Sequence, residues 1–352
     1  MKRLQRNPEK FEVIDLFTSV GKGRNYRLRA DENFEDFIMR MRDSLKSSMA
    51  NANLLHGKRI EALFSYVAGA LGECLFIKKE DAGAVFSNIP NIQPPDYTVT
   101  LKNGSRMMIE VKNCHIGDFK TPYKLKKDYL KRLENYAAMQ GAQLKIAIYF
   151  SRLNKWCLLS KSSLTEKMGR YEINMISAIA KSEMAILGDR SIGVKPDIGI
   201  EFMADPEKES SINDDGTASL TISKVRIFNA GVEIHDYNEK SIAFYLARFG
   251  KLTCDLPQAI QEDGRLISIK FDFRVDDEDE LHEGQEFLIV GDLSSMITNA
   301  YNEHTVYEQS VVSLDPELDP DFFAINIDPD HVSKDLPLWQ FSIQPNHDFL
   351  IN

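Results

Sequence analysis

The chain has 352 residues, 43% hydrophobic and 27% charged, which excludes wholesale disorder and leaves enough apolar material for a core without disulfide or metal staples. The formal charge of −10 conceals a split: residues 1–160 hold 27 Lys+Arg against 17 Asp+Glu, and residues 161–352 hold 16 against 36, the pattern of a polyanion-binding part joined to an acidic part. No run approaches the roughly 18 apolar residues of a membrane span, the first residues lack a signal-peptide core, and Cys74, Cys114, Cys157 and Cys254 stand outside any zinc or disulfide spacing, so a soluble, cytoplasmic protein is expected.

In chain order, residues 31–50 read as a helix with acidic residues in its first turn and Phe34, Phe37, Ile38 and Met41 at helical spacing. Asn51 to Gly57 reads as a break. Lys58–Leu71 follows as a second helix, with Gly72 as its stop. A short strand is expected at Leu75–Ile77. Tyr97–Leu101 and Arg106–Lys112 then flank Asn103-Gly104, a strong hairpin signal. Tyr123–Gln140 reads as a helix, Lys145–Phe150 and Trp156–Leu159 as strands, and Tyr171–Leu187 as a further helix.

Pro196–Phe202 reads as a strand and Asp205–Thr217 as a linker. Strands are expected at Leu220–Val225, Gly231–Ile234, Leu266–Phe273 and Phe287–Val290, and helices at Lys240–Arg248 and Leu293–Tyr301. Asp276–Glu286 reads as an acidic loop. The expected organisation is a helical lead-in over 1–50, a mixed α/β core over 51–204 and an acidic, strand-rich α+β domain over 205–352.

The hairpin carries Pro95-Asp96 on entry and Glu110-Val111-Lys112 on exit, and the preceding helix opens Gly57-Lys58-Arg59-Ile60-Glu61. In these residues the chain resembles the PD-(D/E)xK nuclease superfamily, the restriction-endonuclease-like enzymes, over residues 55–160. The resemblance implies a mixed sheet flanked by helices, with Asp96, Glu110, Lys112 and Glu61 as the catalytic set. It also implies Mg²⁺ or Mn²⁺ held by Asp96, Glu110, Glu61 and the Val111 carbonyl. The implied activity is endonucleolytic cleavage, of DNA more than RNA, to 5′-phosphate and 3′-hydroxyl ends. Nucleic-acid defence is a natural setting.

The chemistry explains the grouping. Two carboxylates suit a hard cation, which polarises a phosphoryl oxygen and acidifies bound water. Lys112, two residues after Glu110 on a strand, shares its face and can orient water and offset developing negative charge. Glu73 competes with Glu61 for the helix position.

Register imposes a condition on this site. A strict two-residue turn at Asn103-Gly104 would set Asp96 opposite Val111, facing away from Glu110 and Lys112. A three-residue loop, a bulge, or a kink at Pro95-Asp96 restores the shared face, and one of these is expected.

Lys124, Lys127 and Lys131 recur as one stripe of the expected Tyr123–Gln140 helix beside Arg132, and phosphate contact is their functional reading. The alternative is a solvated helix face. A second basic patch, Lys22, Arg24, Arg27 and Arg29 with Tyr26, extends that surface or is a charged arm. His115 and Gln140 are left outside the site. P-loop, calcium-loop and serine-elbow patterns are absent. The competing hypothesis is an inactive nuclease-fold scaffold acting through the acidic half, with a protein partner or a second copy bound there.

Overall fold

The computed structural model describes residues 1–2, 8–80, 86–213, 217–275 and 284–350. Residues 276–283 of the expected acidic loop and 214–216 of the expected linker lie outside the described residues.

Three helices lead: α1 (Pro8–Gly21), α2 (Asp31–Met49) and α3 (Ala52–Ala70). The break expected at Asn51–Gly57 is instead the pair Ala50-Asn51. The Asn51 side chain accepts the Leu54 N–H at 3.1 Å and caps a helix that runs through Gly57. One interior glycine costs about 1 kcal/mol, which the cap and the apolar face of α3 outweigh. Gly72 ends the helix as expected, with φ of +94° in the left-handed region.

The strands β1 (Cys74–Lys79), β2 (Tyr97–Leu101) and β3 (Arg106–Cys114) are followed by β4 (Tyr123–Lys126), helix α4 (Lys127–Met139), β5 (Gln143–Phe150) and β6 (Lys155–Ser160). Five of these strands form a mixed sheet in the order β1-β2-β3-β5-β6. Pairing is antiparallel except between β3 and β5, which run parallel with α4 in the crossover.

Alternation divides the side chains between two faces. Tyr97, Val99, Ile109, Val111, Tyr149 and Trp156 pack with Ile60, Phe64 and Val67 of α3. Cys114, Ile146, Ile148 and Phe150 pack with Leu130 of α4 on the other face.

The helix expected over Tyr123–Gln140 is a strand followed by a helix. Tyr123–Lys126 pairs antiparallel with Arg170–Ile173. The same pairing converts the start of the helix expected at Tyr171–Leu187 into strand. Helix there is confined to Met175–Ala180, where the Asn174 side chain accepts the Ser177 N–H at 2.9 Å, and to a 3-10 turn at Met184–Leu187. Local propensity lost to tertiary pairing in both places.

The boundary expected at 204 does not separate two bodies. Ile198–Ala204 pairs on one side with Ile222–Asn229 and on the other with Arg265–Arg274, so it is a central strand of the second sheet. Between these neighbouring strands, Ser211–Ile212 of the expected linker pairs with Ala218–Ser219 just beyond it.

A single hydrophobic cluster joins Ile60, Phe64 and Trp156 to Met296, Tyr301 and Phe323 of the acidic half. Helix Leu293–Thr305 provides the polar contacts of this junction. The Trp156 indole N–H donates to Thr298 Oγ1 at 3.0 Å, Arg59 Nη1 to Asn302 Oδ1 at 2.6 Å, and Lys155 Nζ to Asp292 Oδ2 at 2.6 Å. Asp189 accepts both the backbone N–H and the hydroxyl of Ser294 at 2.9 and 2.7 Å, satisfying donors at the start of that helix.

Among the described residues, no helix is long and apolar enough to cross a membrane.

A chain ending at residue 204 strips the cover from α3 and β6 and leaves Ile198–Ala204 with no sheet partner. It is expected to show no cooperative thermal transition by circular dichroism, whereas the full chain does.

Candidate active site

The hairpin meets its register condition through its loop. Tyr97 pairs with Ile109 and Thr98 with Met108, one residue short of the two-residue register. Leu101 N–H donates to the Ser105 carbonyl at 2.9 Å, closing a three-residue loop over Lys102-Asn103-Gly104. Gly104 takes φ of +83° there, a conformation that glycine adopts without steric cost. Continued by one residue, this register sets Asp96 across from Glu110.

The Asp96 side chain reaches past the end of β2 to the next strand, where its Oδ2 accepts the Val111 N–H at 2.8 Å. Glu110 is buried, 3% exposed. Its Oε1 accepts from both the Lys112 ammonium and the Tyr129 hydroxyl, leaving Oε2 outside those contacts. Lys112 Nζ also stands 3.1 Å from the Tyr129 hydroxyl oxygen. Asp96, Glu110 and Lys112 are therefore brought together, and Tyr129 of α4 joins them.

The electrostatics follow from burial. Desolvation and the Glu110 charge push Asp96 up from 3.8 to about 6, with Glu61 adding to the rise and the Val111 N–H and Lys112 opposing it. Burial alone would lower Lys112; the Glu110 carboxylate and Tyr129 outweigh it and hold the ammonium above its ordinary value. The site thus combines a firmly charged cation with carboxylates whose mutual repulsion is only partly relieved.

Glu61 approaches from α3. Its backbone carbonyl accepts the Tyr97 hydroxyl at 2.9 Å, and its carboxylate takes Lys58 Nζ at 2.6 Å. It is close enough to raise Asp96. Glu73, its rival, stands at the loop end of the hairpin, half exposed and 3.8 Å from Lys102, away from this cluster.

The donor set is suited to a hard cation. Asp96, Glu110 and the Val111 carbonyl offer only oxygen, and a cation would relieve the repulsion that raises Asp96. Among the described residues, no three His, Cys, Asp or Glu side chains form a complete cage. That is compatible with Mg²⁺, which takes one or two carboxylates and keeps several waters.

Beside the cluster opens a cavity of about 310 Å³ lined by residues that include His56, Gly57, Glu61, Lys112, His115 and Tyr123. Burial lowers His56, and Arg59 and His115 add to that effect, so His56 favours its neutral form in this wall. His115, left out on sequence grounds, is in the wall, with Nδ1 2.7 Å from Ser151 Oγ.

The basic residues do not form the expected stripe. Lys124 is on β4 and lies 3.5 Å from Glu172, and Lys127 pairs with Glu166. Arg132 Nη2 donates to Gln93 Oε1 at 3.2 Å, and its guanidinium is 5.7 Å from the Tyr129 ring centroid. Lys131 is exposed. The strand at Tyr123–Lys126 breaks the helical spacing that would have aligned them.

Two residues were missed in the sequence. Tyr129 carries no signal of its own in the sequence; its place above Glu110 depends on how α4 crosses the sheet. Glu80 follows β1 directly and its N–H donates to the Asp96 carbonyl at 2.8 Å. Its carboxylate accepts from Thr98 Oγ1 at 2.7 Å and from the Tyr136 hydroxyl at 3.3 Å. A carboxylate one strand over from Asp96 has no signature without the β1–β2 register.

No family model and no curated protein matches this chain. Among solved structures, it is similar to Hjc, a Holliday junction resolvase from the archaeal hyperthermophile Archaeoglobus fulgidus. Identity is 21% over 33% of this chain and 85% of that chain, with a TM-score of 0.24. A likeness this slight assigns no function to this chain.

With Asp96 raised to about 6, the metal-free native state holds a proton that the unfolded chain has already lost. The stability this group contributes is full below about 3.8 and is lost as pH rises through about 6. Glu110→Gln is expected to move the Asp96 titration down towards its ordinary value, read by carboxyl ¹³C chemical shifts in metal-free protein.

Proposed function

We propose that this chain is a metal-dependent endonuclease of the restriction-endonuclease-like type that hydrolyses phosphodiester bonds in DNA. The observation that carries this reading is the convergence of Asp96, Glu110 and Lys112 on one sheet face, brought about by the three-residue hairpin loop. Asp96 and Glu110, with the Val111 carbonyl, are the residues that would hold Mg²⁺ or Mn²⁺. When bound, such a cation supplies Lewis acidity and acidified water.

The remaining roles belong to the chain's own groups. The Lys112 ammonium, kept charged by Glu110, is placed to orient water and to offset negative charge on a phosphate. Tyr129 holds Lys112 and Glu110 in one geometry by contacting both. Glu61 stands at the cavity as a further acceptor for ordered water. Lys112, in the wall of the cavity, is the cation placed to meet a phosphodiester in that space. Lys131, exposed on α4, is the basic residue best placed for backbone contact, whereas Lys124 and Lys127 would have to leave their glutamate partners.

DNA is preferred to RNA from the superfamily resemblance. The acidic half covers the α3 face of the sheet, and Glu110 and Lys112 project to the α4 face.

The test is cleavage of plasmid, single-stranded DNA and RNA with Mg²⁺, Mn²⁺ or EDTA. Wild type is expected to cut DNA only with metal, and Lys112→Ala and Asp96→Asn to lose at least about a hundredfold in rate, the scale of removing one charge-stabilising group. Calorimetric Mg²⁺ binding is expected to be lost in Asp96→Asn and retained in Lys112→Ala. Metal-independent cutting, or full activity in either variant, would refute the assignment.

A further inference from the structure

Among the described residues, helix α2 contacts α1 and α3 and leaves its remaining surface uncovered. Phe37 turns towards α1, with its ring 5.2 Å from that of Phe17, and the Tyr26 hydroxyl from the α1–α2 connection contacts Asp36. On another face, Phe34, Ile38, Leu45 and Met49 are 55%, 46%, 61% and 64% exposed. Steps of four, seven and four residues keep these side chains in one narrow stripe down the helix, the spacing of a helix–helix seam. The stripe from Phe34 to Met49 runs about 22 Å along this 19-residue helix and is more apolar than a solvated helix face requires.

The charges beside the stripe identify what covers it. Asp31, Glu32, Glu35 and Asp36 occupy the first turns of α2, and Arg40, Arg42 and Lys46 the later ones together with Asp43, which pairs with Arg42 at 3.1 Å. Asp36 and Arg40 satisfy each other within the helix at 2.8 Å. Among the described residues Glu35 and Lys46 have no ion-pair partner, and both flank the stripe on the same side. An acidic end disfavours an anionic lipid surface. A helix acidic at one end and basic at the other is complementary to itself, but only when the two copies run antiparallel.

We propose that α2 is a self-association surface, on which two copies of this chain pair α2 against α2 about a two-fold axis. The axis passes near the middle of the stripe, so Phe34 meets Met49 of the second copy and Ile38 meets Leu45. Glu35 then lies within about a turn of Lys46 across the seam, twice by symmetry. A parallel pairing would instead bring the two acidic ends together and leave Glu35 and Lys46 about 16 Å apart along the axis. The seam is a single helix wide, so the dimer is a weak one, with a dissociation constant on the order of micromolar.

Sedimentation equilibrium of the full chain from about 1 to about 100 µM tests this range. Wild type is expected to pass from monomer to dimer. Leu45→Glu, an exposed position that leaves the fold intact by its unchanged thermal midpoint, is expected to stay monomeric throughout. Glu35→Lys and Lys46→Glu are each expected to weaken association about fivefold, the scale of two exposed ion pairs, and the two together in one chain to restore it. A wild type monomeric at every concentration, a dimer unmoved by Leu45→Glu, or a double reversal that fails to restore association would each overturn the proposal.

Discussion

One residue of loop length fixes which side of the sheet Asp96 occupies. Strand side chains alternate with a period of two, so a slip of one residue exchanges the faces completely. Lys102-Asn103-Gly104 forms a three-residue loop because Gly104 accepts a positive φ. Everything at the site depends on that: Asp96 can reach the Val111 N–H, Glu110 is its neighbour rather than a residue on the opposite face, and Lys112 follows Glu110 onto the same row. The same register sends Val111 and Ile109 into the α3 core. Hydrophobic burial on one face thereby enforces the polar arrangement on the other.

That polar arrangement is costly in isolation. Glu110 is almost fully buried, and a buried carboxylate needs a charged partner and hydrogen bonds to offset lost hydration. Lys112 and Tyr129 provide them, both through Oε1. Burial and the neighbouring Glu110 charge raise the proton affinity of Asp96, and the Val111 N–H and Lys112 offset that only in part. A site that leaves one carboxylate under-neutralised beside a well-neutralised one is arranged for an additional positive charge, not for maximal stability.

The hairpin, the two strands of the later sheet edge and the α2 helix were legible in the sequence because each is specified locally, by Asn-Gly, by alternating apolar residues or by helical spacing. Asp96, Glu110 and Lys112 were legible for the same reason, together with the demand that a loop irregularity exist. What could not be read depends on pairing between distant segments. Tyr123–Lys126 looks helical until Arg170–Ile173 is beside it, so the lysine stripe dissolved with the helix. Ile198–Ala204 looks like the end of one domain until both of its neighbours, each from further along the chain, are known. Tyr129 and Glu80 belong to this class too, since each reaches the site only across a crossover or a strand pair.

The shared core has a consequence for synthesis. A chain emerges from its N-terminus at roughly 5–20 residues per second. Once β6 has been made, on the order of ten seconds or more pass before Leu293–Thr305, which covers part of α3 and Trp156, is available. Throughout that interval the first half of the chain has an incomplete core. The acidic segments that follow are thus the completing part of the fold, because the α3 face of the first sheet gains its cover only once Leu293–Thr305 has emerged.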